Sequence, residues 1–110
     1  QVFLPELSTY QTAFAELPSS VPDLAQVLDV CASLAVVNTE IKNWPDDRDF
    51  DPTERLADAV VALLEARGEL ASTHHLISSF HLPTIDRVQA LAPTLRPTAA
   101  PGLSVCVRAQ

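Results

Sequence analysis

The residues with the best claim to chemistry lie in the stretch VVNTEIKNWPDDRDFD, residues 36–51. On a helical wheel, Asn38, Lys42 and Asp46 fall at successive i+4 positions, on the face that the upstream apolar residues define. Polar groups on an inward face cost free energy unless they are paired. Two arrangements would pair them. Asn38 can bond a neighbouring backbone group while Lys42 extends its stem to solvent. Alternatively the three line a polar pocket that offers oxygens to a hard cation such as Mg²⁺. Pro45 decides whether Asp46 stays on that face, because a proline clashes with the carbonyl four residues back. The acids Asp46, Asp47, Asp49, Asp51 and Glu54 have a simpler reading as a solvated run. Within it Asp51 and Glu54 start the next helix in the sequence DPTE.

The other reactive residues show no arrangement of this kind. His74, His75 and His81 fit no zinc spacing and are expected at the surface or at helix ends. The serines lie in no nucleophile elbow, and no glycine-rich loop cradles a phosphate. Cys31 and Cys106 either pair as a disulfide or serve as small buried hydrophobes.

The elements that must hold these residues read as helices. Glycine is scarce, at 2 residues, and aromatics make up 5%, while Ala and Leu are abundant. This favours an all-α fold of about five helices in a small bundle. The first runs from about Pro5 to Leu17. The second opens at Pro22 and carries a 3.6-residue stripe of Leu24, Val27, Leu28, Cys31, Leu34, Ala35 and Ile41. The third follows DPTE with Leu56, Val60, Leu63 and Leu64 inward, and ends at Arg67-Gly68. The fourth spans about Leu70 to His81, with Ile77 and Phe80 inward. The fifth opens at Pro83, with Ile85, Val88, Leu91 and Leu95. Residues 1–96 form the helical domain and 97–110 a proline-rich tail, in which Leu103 to Val107 suits a short extended piece.

Charge narrows the function. A formal net charge of -7 repels nucleic-acid phosphates and anionic membrane surfaces, and no apolar run reaches the length of a membrane span. A phosphate ligand would need a cation between it and the chain.

On these residues the chain resembles the C-terminal part of a class I terpene synthase. The window NTEIKNWPD is similar to that family's metal-binding motif N-D-x-x-S-x-x-x-E, with Asn38, Lys42 and Asp46 at the ligand positions. A register shifted by one puts Thr39, Asn43 and Asp47 there instead. Flanking support comes from STYQTAFAELPSSVPDLAQVLDVCASLAVVN upstream and ADAVVALLEARGEL downstream, and the likeness covers about residues 7 to 96. The resemblance implies a helix that binds Mg²⁺ and the diphosphate of an isoprenoid substrate, with Arg48 and Arg108 as diphosphate-binding cations. It implies a cytoplasmic lyase. The family's first aspartate motif and its Arg-Tyr pair are missing, so this chain is expected to act only with a companion chain or a preceding region. The alternative is a secreted helical protein that binds a lipid, another apolar molecule or a surface without catalysis. The helix Ile85 to Pro93 resembles fungal hydrophobic-surface-binding cell-wall proteins in this respect.

Overall fold

The computed structural model describes residues 21–34, 36–71 and 73–95, together with the backbone of 103–108. Helices and parallel strands alternate. The order is α1 (Leu24–Val30), β1 (Val37–Lys42), α2 (Arg55–Ala66), β2 (His75–Ser78), α3 (Leu82–Leu91) and β3 (Leu103–Arg108). The three strands form one sheet in the order β2-β1-β3, and both pairings with β1 are parallel. The fold is therefore an α/β mixture, not the all-α bundle expected from composition. The expected first helix, Pro5 to Leu17, and most of the proline-rich tail lie outside the described residues.

Two expected helices are corrected. The second ends early: α1 stops at Val30, with Cys31 as its C-cap. Its start is well signalled, because Asp23 and Gln26 close a reciprocal capping box. Beyond Ala35 the pattern changes period. Val37, Thr39 and Ile41 are buried and alternate with Asn38, Glu40 and Lys42, a two-residue repeat rich in β-branched side chains. Ile41 joined the helical stripe only because the two periods coincide there. The expected fourth helix is instead the strand His75–Ser78. His75, Leu76 and Ile77 are all buried, which no single helix face would explain; both faces of this strand are covered. Phe80, expected inward, is 85% exposed.

The other two helices keep their expected stop and start signals, but α2 begins at Arg55, three residues later than DPTE suggests, with Glu54 and not Asp51 at the N-cap. Helix α2 ends in a Schellman turn: Gly68 N–H bonds the Glu65 carbonyl at 2.9 Å and Glu69 N–H bonds that of Leu64 at 2.9 Å. Gly68 has φ +71°, the left-handed conformation this turn needs. Helix α3 carries Pro83 in its first turn. It buries Val88, with Leu95 just beyond its end, but leaves Leu91 exposed.

One core lies on one face of the sheet. It gathers Leu28 and Cys31, Val37 and Ile41, Ala57, Val60, Val61 and Leu64, then Ile77, Val88, Ala92 and Leu95. Each fully buried Val, Leu or Ile contributes roughly 1.5–3 kcal/mol, so this cluster holds α1, α2 and α3 against β1 and β2. The opposite face carries Asn38, Glu40 and Lys42, with Leu76 and Ser78 beside them in register. At the N-terminal ends of the strands a polar chain ties the layers together. Arg67 bonds Asp29 at 2.8 Å and lies 3.3 Å from Glu69, which in turn holds the buried His75. Cys31 is a free, buried cysteine. Cys106 stands in β3, as the register partner of Glu40.

Candidate functional site

In parallel α/β folds, ligands gather beyond the carboxyl ends of the strands, where the loops diverge. Here those ends are Lys42 of β1 and Ser78 of β2. A cavity of about 470 Å³ opens there, lined by residues 40–44 with Asp47, Ser79, Phe80 and His81.

Strand β1 supplies the charge. Glu40 and Lys42 are two residues apart on one face of the strand, and their charged ends lie 3.8 Å from each other. Both are partly buried, so neither charge is fully screened by water. The β1–α2 loop supplies a wall. Its ends are clamped by Asn43, which is buried: its Nδ2 donates to the Asp51 carbonyl at 2.7 Å, and its Oδ1 accepts from the Asp51 N–H at 2.9 Å. This double bond to the backbone closes the loop from Trp44 to Phe50 on itself.

His81, which directly precedes α3, faces the same cavity. Trp44 and Phe50 meet its ring edge-on, with centroids at 6.2 and 5.6 Å. Behind it lies Glu54, buried at 6% exposure. Glu54 Oε2 accepts from the Thr84 hydroxyl at 2.8 Å, and its Oε1 is 3.5 Å from His81 Nε2. Glu54 has φ +59°, a left-handed conformation that costs a non-glycine residue about 1–2 kcal/mol. A buried carboxylate on strained backbone beside a histidine is the kind of conflict that functional sites retain.

Glu54, not Asp51 as the sequence suggested, holds the N-cap position of α2, and Asp51 orders the turn before it. The Asp51 carboxylate accepts from Thr53 and Arg55, and α2 begins at Arg55. The Thr53 hydroxyl and then Arg55 hold this carboxyl well below the usual carboxylate range. A second hollow of about 620 Å³, at the start of α2, includes Asp51 and Arg55, which neutralise each other at 2.9 Å.

The candidate residues from the sequence are dispersed. Asn38 is buried within the sheet, and its Oδ1 accepts from the Ser78 hydroxyl at 2.9 Å, so this oxygen serves a cross-strand bond. Lys42 is at the cavity. Asp46 is exposed in the turn after Pro45. Of the shifted register, Thr39 is buried on the core side, Asn43 clamps the loop, and Asp47 lines the cavity. Arg48 is exposed in the loop, and Arg108 is the register partner of Lys42 across β1 and β3. Glu40, Glu54 and His81 were not among the candidates. The signal for Glu40 was available: read with period two, NTEIK places Glu40 and Lys42 on one face. His75, expected at the surface, is 1% exposed.

Among the described residues, no three His, Cys, Asp or Glu side chains converge as a ready-made metal site. None of the described helices is long and apolar enough to cross a membrane. Compared with family models, curated proteins and solved structures, the chain matches none.

Proposed function

We propose that the cavity at the carboxyl ends of β1 and β2 binds a phosphoester and hydrolyses it. The observation that carries this reading is the convergence of Glu40, Lys42 and His81 on one cavity, with Glu54 behind the histidine. Lys42 supplies the point charge for a phosphoryl oxygen. Glu40 and Asp47 line the same cavity, a pair of carboxylates that suits a divalent cation completed by ligand phosphate oxygens. When bound, such a cation, Mg²⁺ for example, supplies Lewis-acid polarisation of the phosphoryl group. It also resolves the repulsion between an anionic ligand and a chain of net charge -7. His81 is the general base: it takes a proton from the attacking water as the new P–O bond forms and the ester P–O bond breaks, and the departing oxygen takes its proton from solvent.

The rest of the ligand meets Trp44 and Phe80, so an apolar or aromatic substituent on the phosphate fits the wall. An isoprenoid diphosphate, the substrate implied by the terpene synthase resemblance, belongs to the same broad class of phosphorylated head and apolar tail. The non-catalytic lipid-binding reading has one observation in its favour. Phe80 and Leu82 flank His81 and are 85% and 68% exposed.

Trp44 is the single tryptophan of the chain and lines the cavity, so its fluorescence reports binding directly. Phenyl phosphate with Mg²⁺ is expected to quench it saturably, phenol much less, and Lys42→Ala to weaken phenyl phosphate binding by tenfold or more, about 1.4 kcal/mol. Equal binding of phenol and phenyl phosphate, or an unaffected Lys42→Ala, would sink the phosphoester reading. Quenching by a fatty acid alone would put lipid binding in its place.

A further inference from the structure

We infer that Glu54 is a positioning residue for His81: its buried carboxylate accepts the hydrogen bond of Nε2–H and leaves Nδ1 as the nitrogen that serves the ligand. The inference rests on the acid–base reading of the cavity and deepens it. Three observations carry it. The first is an orphaned atom. Glu54 Oε1 is buried without a hydrogen-bond partner, while its twin oxygen is held by Thr84. A buried, half-satisfied carboxylate is expensive unless another group completes it. The second is direction. Among the described residues the titratable nitrogen close to Oε1 is His81 Nε2 at 3.5 Å, and about half an ångström of movement turns that approach into a normal hydrogen bond.

The third is what fixes the two partners. Glu54 cannot relax away, because its backbone is left-handed and its other oxygen is tied to Thr84, which is fully buried in α3. His81 is gripped by the edges of Trp44 and Phe50, and its backbone N–H is held by the Ser79 hydroxyl at 3.1 Å. Two elements therefore meet through one proton: the start of α2 supplies the carboxylate and the start of α3 the imidazole. A carboxylate that bonds one ring nitrogen selects the tautomer and frees the other nitrogen for chemistry. Glu54 itself does not line the cavity, so it acts through His81 and not on the ligand.

The test is ligand-free nitrogen-15 NMR of the imidazoles in the whole chain, with the His81 signals assigned by their loss in His81→Asn. In the unaltered protein we expect His81 to carry its proton on Nε2, with that proton protected from exchange with water. Glu54→Asn tolerates left-handed backbone but is one methylene too short to reach; it should abolish the protection. Thr84→Val should weaken the protection in the same direction, and decides the matter if circular dichroism shows Glu54→Asn unfolded. A bare Nε2 in the unaltered protein, or protection unchanged in a folded Glu54→Asn, overturns the inference. Because no ligand is present, this outcome is separable from the phenyl phosphate titration: the dyad can stand while the phosphoester reading fails, and the reverse.

Discussion

Removing the Thr84 hydroxyl isolates the energetics of the buried carboxylate. Thr84→Val preserves side-chain shape, so no cavity forms, but it deletes the 2.8 Å bond to Glu54 Oε2. The other oxygen has only the 3.5 Å approach of His81 Nε2, so the variant leaves the buried carboxylate with that one long contact. A hydrogen bond to a charged group contributes about 1.5–3 kcal/mol. At roughly 4–8 °C per kcal/mol for a domain near this size, the thermal midpoint should fall by about 10 °C. The more telling measurement is a double-mutant cycle with Glu54→Gly. In the unaltered background glycine relieves about 1–2 kcal/mol of left-handed strain. It also forfeits the Thr84 bond and strands a buried hydroxyl, and it pays glycine's extra unfolded-state entropy of about 0.5–1 kcal/mol. The net should be destabilising by about 1–2 kcal/mol. In the Thr84→Val background the same change removes a poorly paired buried charge, which returns about 1–3 kcal/mol, and it should stabilise the protein. Urea unfolding followed by far-ultraviolet circular dichroism reads all four corners. If Glu54→Gly destabilises equally in both backgrounds, the two residues are not coupled and the reasoning about the buried carboxylate is wrong.

Two further outcomes follow from the opposite end of the sheet. Gly68→Ala tests backbone strain alone, since an added Cβ meets nothing within 4 Å at φ +71°; we expect about 1 kcal/mol of destabilisation in urea titrations, with Gly68→Asn costing less. Glu69 gives a pH dependence: burial pushes its carboxyl up, but the hydrogen bonds from His75 and Arg67 outweigh this and hold it below its ordinary value of 4.5. A depressed carboxyl contributes stability that is complete above the unfolded value and lost as pH falls through the folded one. Glu69→Gln should therefore lower the urea midpoint above about pH 4.5 and converge with the unaltered protein in more acidic solution; parallel curves at every pH would contradict the network.

Much of the local structure was legible before folding, and the candidate site was legible only in part. The glycine stop at Gly68 and the proline start of α3 each depend on a few neighbouring residues. So does the extended character of Leu103 to Val107, now part of β3. The strands β1 and β2 were read as helix for a physical reason. β2 is buried on both faces and only four residues long, too short for any period to emerge, while β1 alternates but shares Ile41 with the helical stripe that precedes it. That error moved the chemistry. A helical period joins Asn38 and Lys42 to Asp46, whereas a strand joins Asn38 and Lys42 to Glu40. Pro45 then turns the chain so that Asp46 points to solvent and Asp47 reaches the cavity.

The sequence by itself determined the acidity of the chain, the glycine stop of α2 and the proline start of α3. Those properties are additive or local, and composition or a few adjacent residues suffice to state them. Only the tertiary structure decided that Glu54 and His81 meet. They are 27 positions apart, and the parallel pairing of β1 with β2 brings the starts of α2 and α3 together beyond the carboxyl ends of those strands. The same packing buries a carboxylate that the sequence shows merely as the third residue after a helix cap. Burial, and the partner it then requires, turned an ordinary capping glutamate into the center of the candidate site.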